Sequence, residues 1–116
     1  MSDVTIWHNP RCGTSRKVLD LLRAEGIEPA IVFYLQTPPD RATLAGVIAR
    51  AGLSVREAIR TKEAAYRERG LGDPALDDAA VLDAMLADPV LIERPFVTTP
   101  RGARLCRPAE RVREIL

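Results

Sequence analysis

Residues 8–17 read HNPRCGTSRK and bring a histidine, a cysteine and three cations together where an apolar run stops and a helical pattern starts. A thiol acts as a nucleophile only as the thiolate, and free cysteine, with a pKa of about 8.5, is a few per cent ionised at pH 7. Lowering that pKa to ~7 makes about half of it thiolate, a differential of roughly 2 kcal/mol. Three features near Cys12 supply such a shift. The thiol immediately precedes a predicted helix, so exposed backbone N–H groups and the positive end of the helix dipole face the sulfur. Gly13 leaves those donors uncovered, and His8, Arg11, Arg16 and Lys17 add cationic or hydrogen-bonding groups. Free amides at a helix start, those of Gly13 and Thr14 here, also bind oxyanions. The alternative for Cys12 is a small packing residue with solvated arginines around it. His8 likewise has two readings, tuning the thiol or ending the strand with a hydrogen bond. Ser15 stands where a CxxC motif has its second cysteine, so an oxidised Cys12 needs a partner thiol from elsewhere.

The elements that must position this loop are legible from periodicity. Val4, Ile6 and Trp7 form a short strand, and Thr14 or Ser15 can cap a helix that presents Val18, Leu21 and Leu22 on one face and stops at Gly26. Ala30 to Leu35 is a continuous apolar run, the pattern of a strand covered on both faces. Together these make a βαβ unit with parallel pairing. Asp40 then caps a helix bearing Leu44, Val47, Ile48 and Ala51 and ending at Gly52. Ser54 opens a short helix from Val55 to about Thr61, which carries Arg60, and Lys62 to Arg69 is partly helical. Asp77 or Asp78 starts another helix (Val81, Leu82, Met85, Leu86) that stops at Asp88-Pro89. The chain returns to β at Phe96 to Thr99, turns at Pro100-Arg101-Gly102, runs on through Arg104 to Cys106, and finishes in a helix with Pro108 in its first turn. The expected class is α/β: βαβ, a helical insertion over about residues 37–90, then ββα, all in one domain spanning residues 1–116.

Composition narrows the function. At 116 residues, 47% hydrophobic and 28% charged, the sequence is an ordinary globular one with room for one core. A formal net charge of +1 gives no global attraction to nucleic acid or membrane surfaces. All but two of the 17 basic residues are arginine, so none can be singled out for being arginine alone. No run approaches the ~18 apolar residues of a membrane span, and the start, MSDVTIWHNP, has no signal-peptide pattern. Two cysteines, Cys12 and Cys106, are too few for a disulfide scaffold, and a reducing cytoplasm is the expected location.

HNPRCGTSRK, IERP at residues 92–95 and RLCRP at residues 104–108, in that order and spacing, resemble the thioredoxin-fold arsenate reductases that use glutathione and glutaredoxin. The resemblance runs from Ile6 to the C-terminus; Trp7 and Arg11 depart from the family pattern, at positions that carry no catalytic group. It implies a thioredoxin-like fold with a mixed four-stranded sheet, and an enzyme of arsenical resistance in which Cys12 attacks arsenate held by Arg60, Arg94 and Arg107. Gly13 and Thr14 lie at the same anion site. His8 is expected to lower the thiol pKa and Ser15 to hydrogen-bond near the sulfur. Pro95 stands at the place of the cis-proline that faces the cysteine in such folds. Glutathione is implied as co-substrate and glutaredoxin as partner, with no bound cofactor, no metal and a monomeric protein. Bidentate, permanently charged guanidinium groups suit a tetrahedral dianion. Cys106 reads as a structural strand residue: the intramolecular disulfide route of phosphatase-fold arsenate reductases needs a Cx5R loop, and the sixth residue after Cys12 is Val18. Two rival functions share the fold, a general glutathione-linked thiol oxidoreductase and a redox-sensing regulator that binds RNA polymerase. Ser15 in place of a second cysteine counts against the regulator.

Overall fold

The computed structural model describes residues 3–116, which divide into two compact units, one formed by the chain up to Thr37 together with Arg94–Leu116 and the other by Pro38–Glu93. In the first unit, β1 (Thr5–Trp7), α1 (Gly13–Ala24), β2 (Ala30–Val32), β3 (Phe96–Thr99) and β4 (Gly102–Leu105) make a sheet of order β2-β1-β3-β4. β1 pairs in parallel with β2, placing Ile6 opposite Ile31, and antiparallel with β3, placing Ile6 opposite Val97. β3 and β4 are an antiparallel hairpin. The mixed four-stranded sheet is thus the expected one.

The core of this unit gathers Val4, Ile6 and Val97 from the sheet, Val18, Leu19 and Leu22 from α1, and Ala109, Val112 and Ile115 from the C-terminal segment. Cys106 is fully buried among them, as a structural strand-end residue would be. On β1 and β3, Trp7 packs against Phe96 with ring centroids 5.6 Å apart. α1 stops at Gly26, whose φ of 77° is the left-handed conformation that suits glycine.

Several local expectations are corrected. The run AIVFYL is a strand only over Ala30–Val32, at the sheet edge; Phe33 and Leu35 are exposed, while Tyr34 is buried. Ala30 is exposed and Ile31 and Val32 are half-buried, so the uninterrupted apolar run does not mark two covered faces here. The last strand is Gly102–Leu105 rather than Arg104 to Cys106, and the C-terminal helix is a 3-10 helix, Ala109–Ile115, with Pro108 as its N-cap.

The second unit holds α2 (Arg41–Arg50), α3 (Ala64–Glu68) and α4 (Asp78–Ala87), with 3-10 turns at Val55–Glu57 and Pro89–Leu91. Asp40 and Asp77 cap α2 and α4 by accepting the Thr43 and Ala80 N–H groups. Ser54 and Glu57 form a reciprocal capping box. The Ser54 segment ends after one 3-10 turn, so Arg60 does not lie on a helix. It sits in an extended stretch where Ile59 bridges Ile92 antiparallel, Arg60 N–H donates to Leu91 O at 2.7 Å and Glu93 N–H to Ala58 O at 2.9 Å. No described helix is long and apolar enough to cross a membrane.

Candidate active site

The loop after β1 is built to deliver one sulfur to one helix start. His8 N–H continues the parallel pairing by donating to Val32 O at 2.9 Å. The Asn9 side-chain oxygen then accepts the Arg11 N–H at 2.9 Å, and the Asn9 backbone carbonyl accepts the Cys12 N–H at 3.0 Å. This Asx turn, spelled Asn-Pro-Arg, was readable from the residue types but escaped the sequence reading. Arg16 Nη1 braces the outside of the loop on Pro10 O at 2.8 Å. Cys12 itself is the N-cap residue of α1, and its carbonyl accepts the Arg16 N–H at 3.0 Å. Neither Thr14 nor Ser15 caps the helix, because both already lie inside its first turn.

The Ser15 hydroxyl has a different task. It accepts the Asn9 N–H at 3.1 Å and lies 2.6 Å from His8 Nδ1, with all three residues buried. Burial, followed by the charges of Arg23 and Arg16, lowers the His8 pKa, which keeps the imidazole neutral at pH 7. With Asn9 donating to Oγ, the consistent arrangement has the hydroxyl donating to Nδ1. His8 therefore braces the loop, and it is not among the groups that lower the thiol pKa.

Burial pushes the half-buried Cys12 thiol up, yet the net shift is downward. The Ser15 backbone N–H points toward the sulfur short of full cap geometry, and Arg94, by hydrogen bond and charge, and Arg107 stabilise the thiolate. Arg107 Nη1 stands 3.8 Å from Cys12 Sγ and also donates to Arg94 O at 3.1 Å, so the second guanidinium is tied to the backbone of the first. Each arginine precedes a cis peptide bond, Arg94–Pro95 and Arg107–Pro108. Lys17 is instead engaged with Glu110 at 2.8 Å. Gly13 does not need a positive φ, and a Cβ there would make only an ordinary contact with Arg16 Nη2 at 3.8 Å.

Arg60 belongs to the other unit, where it is mostly buried and paired with Glu63 at 3.1 Å and Glu93 at 2.9 Å. Those two carboxylates were not anticipated from the sequence. Glu93 immediately precedes Arg94 in the chain. Cys106, by contrast, is pushed up to about 12, chiefly by burial, and is chemically silent at neutral pH.

A thiolate-favouring cysteine at a helix start, with two arginines directed at it, has the chemistry that a nucleophile beside an oxyanion site needs. The model of the ArsC family matches residues 7–115. The chain belongs to the ArsC family. It is 58% identical over 113 residues to an arsenate reductase of Rhizobium meliloti, covering 97% of this chain and 81% of that one. An arsenate reductase of Escherichia coli K12 is 51% identical over the whole chain, which spans 82% of that relative. The uncharacterized protein YfgD of the same strain is 46% identical, with 97% of this chain and 96% of that one covered. A solved arsenate reductase from Vibrio cholerae superposes with a TM-score of 0.94 at 46% identity, covering 97% of each chain. The ArsC-family fold is thus the thioredoxin-like one anticipated from the motifs.

Proposed function

We propose that the protein is an arsenate reductase working through Cys12. What carries the reading is the convergence of Arg94 and Arg107 on one sulfur whose pKa is lowered. The naming of its 46–58% identical relatives points the same way. In the first step the Cys12 thiolate attacks arsenic. An S–As bond forms, an As–O bond breaks, and the leaving hydroxide takes a proton to depart as water; arsenic stays As(V). Arg94 and Arg107 hold the remaining oxygens, with the Gly13 and Thr14 amides at the helix start. Each charge-assisted hydrogen bond is worth roughly 1.5–3 kcal/mol, so two guanidinium groups with the helix-start amides can hold a dianion.

Glutathione thiolate then attacks the Cys12 sulfur. An S–S bond forms and the S–As pair passes to arsenic, which leaves as arsenite, As(III). Glutaredoxin removes the glutathionyl group by attacking its sulfur, and Cys12 returns as thiolate. Both cysteines are free thiols, which suits the reducing cytoplasm, and the protein acts there as a monomer. Two guanidinium groups at the sulfur favour oxyanion chemistry over general removal of glutathione from proteins.

The test is arsenite release with glutathione and glutaredoxin supplied. Cys12→Ser abolishes it, and Arg94→Ala or Arg107→Ala raises the arsenate KM by about tenfold or more, the loss of one charge-assisted contact. Arsenite release by Cys12→Ser at the wild-type rate overturns the reading.

A further inference from the structure

The antiparallel and parallel pairings place four chain segments side by side along one end of the sheet. They are the exit of β2 (Phe33–Gln36), the exit of β1 (His8–Cys12), the entry of β3 (Arg94–Pro95) and the exit of β4 (Arg107). The cysteine loop therefore has two unlike flanks. On the β3–β4 flank stand the two arginines directed at the sulfur. On the β2 flank lies a cleft of about 240 Å³, lined by His8, Asn9, Arg11, Phe33, Leu35 and Gln36 among others. Phe33 and Leu35 are 45% and 38% exposed, the two large apolar side chains among the described residues that remain open to solvent.

Displacement at sulfur proceeds in line: the incoming thiolate approaches along the extension of the bond that breaks. With arsenic on the arginine flank of Cys12, the reductant must come from the other one. From this geometry we infer that the Phe33–Leu35 cleft seats the attacking thiol, a small anionic peptide thiol of glutathione type, with Arg11 pairing its carboxylate and Gln36 its amide. The inference rests on the reductase reading above. The cleft's charge fits that guest, since its lining has one guanidinium and no carboxylate. Its size fits as well. At about 240 Å³ it is below the ~300–1,000 Å³ of whole-ligand clefts and takes part of a tripeptide, whereas a folded partner covers about 800 Å² per side. Arg11, one of the two departures from the family pattern, thereby gains a role: it makes the thiol side of the loop selective for an anionic reductant.

The step is the one already balanced: the S–S bond between reductant and Cys12 forms, the S–As bond breaks, and arsenic takes the electron pair. Steady-state assays of Arg11→Glu and Leu35→Ser, both at exposed positions, test it with arsenate, glutathione and glutaredoxin varied separately. The glutathione KM is expected to rise about tenfold in Arg11→Glu and about threefold in Leu35→Ser, with the arsenate KM within about twofold of wild type. A second readout needs no arsenate. The ratio of the Cys12 rate with oxidised glutathione to its rate with the neutral hydroxyethyl disulfide falls about tenfold in Arg11→Glu, a ratio in which any change of thiolate fraction cancels. An unchanged glutathione KM in both variants, or an equal rise in the arsenate KM, overturns the assignment. So does an effect confined to the glutaredoxin KM, which gives the cleft to the protein partner. If wild-type protein releases no arsenite, the reductase reading falls, and the disulfide reactions alone still decide whether the cleft selects glutathione.

Discussion

At the scale of single residues the two cysteines show how position decides chemistry. Cys12 has its thiolate favoured by Arg94, Arg107 and a helix amide against the opposing effect of burial, whereas Cys106 is enclosed by the core. Iodoacetamide at pH 7.5 is expected to modify Cys12 alone, its rate reaching half-maximum below the ~8.5 of free cysteine, with Cys106 reacting only after denaturation. Mass spectrometry that finds Cys106 labelled in the native protein sinks this. Ser15→Ala separates hydroxyl from amide: it strands the buried His8 Nδ1 and Asn9 N–H, costing about 1–3 kcal/mol of stability, yet leaves the Ser15 N–H in place, so the alkylation midpoint of Cys12 holds. His8 is the sole histidine and its folded pKa lies below the unfolded value near 6.5. The unfolded chain therefore binds that proton first, and stability falls as pH drops below about 6.5. Urea unfolding of His8→Asn over pH 7 to 5 is expected to show a shallower acid loss than wild type. Of the site, the thiolate-favouring cysteine was legible because a thiol at a helix start is a local arrangement. The His8–Ser15 bond was not, since it joins residues seven apart whose pairing depends on how the turn at Asn9 folds.

At the scale of elements, legibility followed the range of the forces involved. Helix caps at Asp40 and Asp77 and the stop at Gly26 are set within a few residues and were read correctly. The run AIVFYL was not, because whether an apolar segment is covered depends on what packs over its faces from distant parts of the chain, and here Ala30, Phe33 and Leu35 stay exposed. Arg60 was placed on a helix because Ser54 caps one. The turn stops after Glu57 instead, and the chain pairs with Leu91–Glu93, a contact more than thirty residues away in sequence. The α4 cap makes a direct test of local control. Asp77→Ala removes the acceptor for the Ala80 N–H at the head of a helix that buries Val81, Leu82 and Met85, and is expected to lower unfolding free energy by about 1 kcal/mol, with Asp77→Ser near neutral. Equal loss in both variants sinks the capping argument.

At the scale of the whole molecule, a net charge of +1 conceals the local concentration of positive charge that Arg94 and Arg107 bring to Cys12, which composition does not reveal. The division into two units has a consequence for how stability is distributed. The sheet unit is held by its own buried cluster around Ile6, Leu22 and Val112. In the Pro38–Glu93 unit, the segment between α3 and α4 contains no regular element, and much of its order comes from one side chain. Arg56 donates to the carbonyls of Leu71 at 2.6 Å, Asp73 at 2.8 Å and Leu76 at 3.2 Å. Arg56→Ala leaves those three acceptors without their charged donor, while Leu71, 3% exposed, still holds one end of the segment by its burial. Backbone amides of Asp73 and Leu76 are therefore expected to exchange with solvent at least about tenfold faster, and those of Ile6 and Val97 to keep wild-type protection. Equal acceleration at Ile6 and Val97 would mean that the two units open together, and that the guanidinium holds far more than the loop it touches.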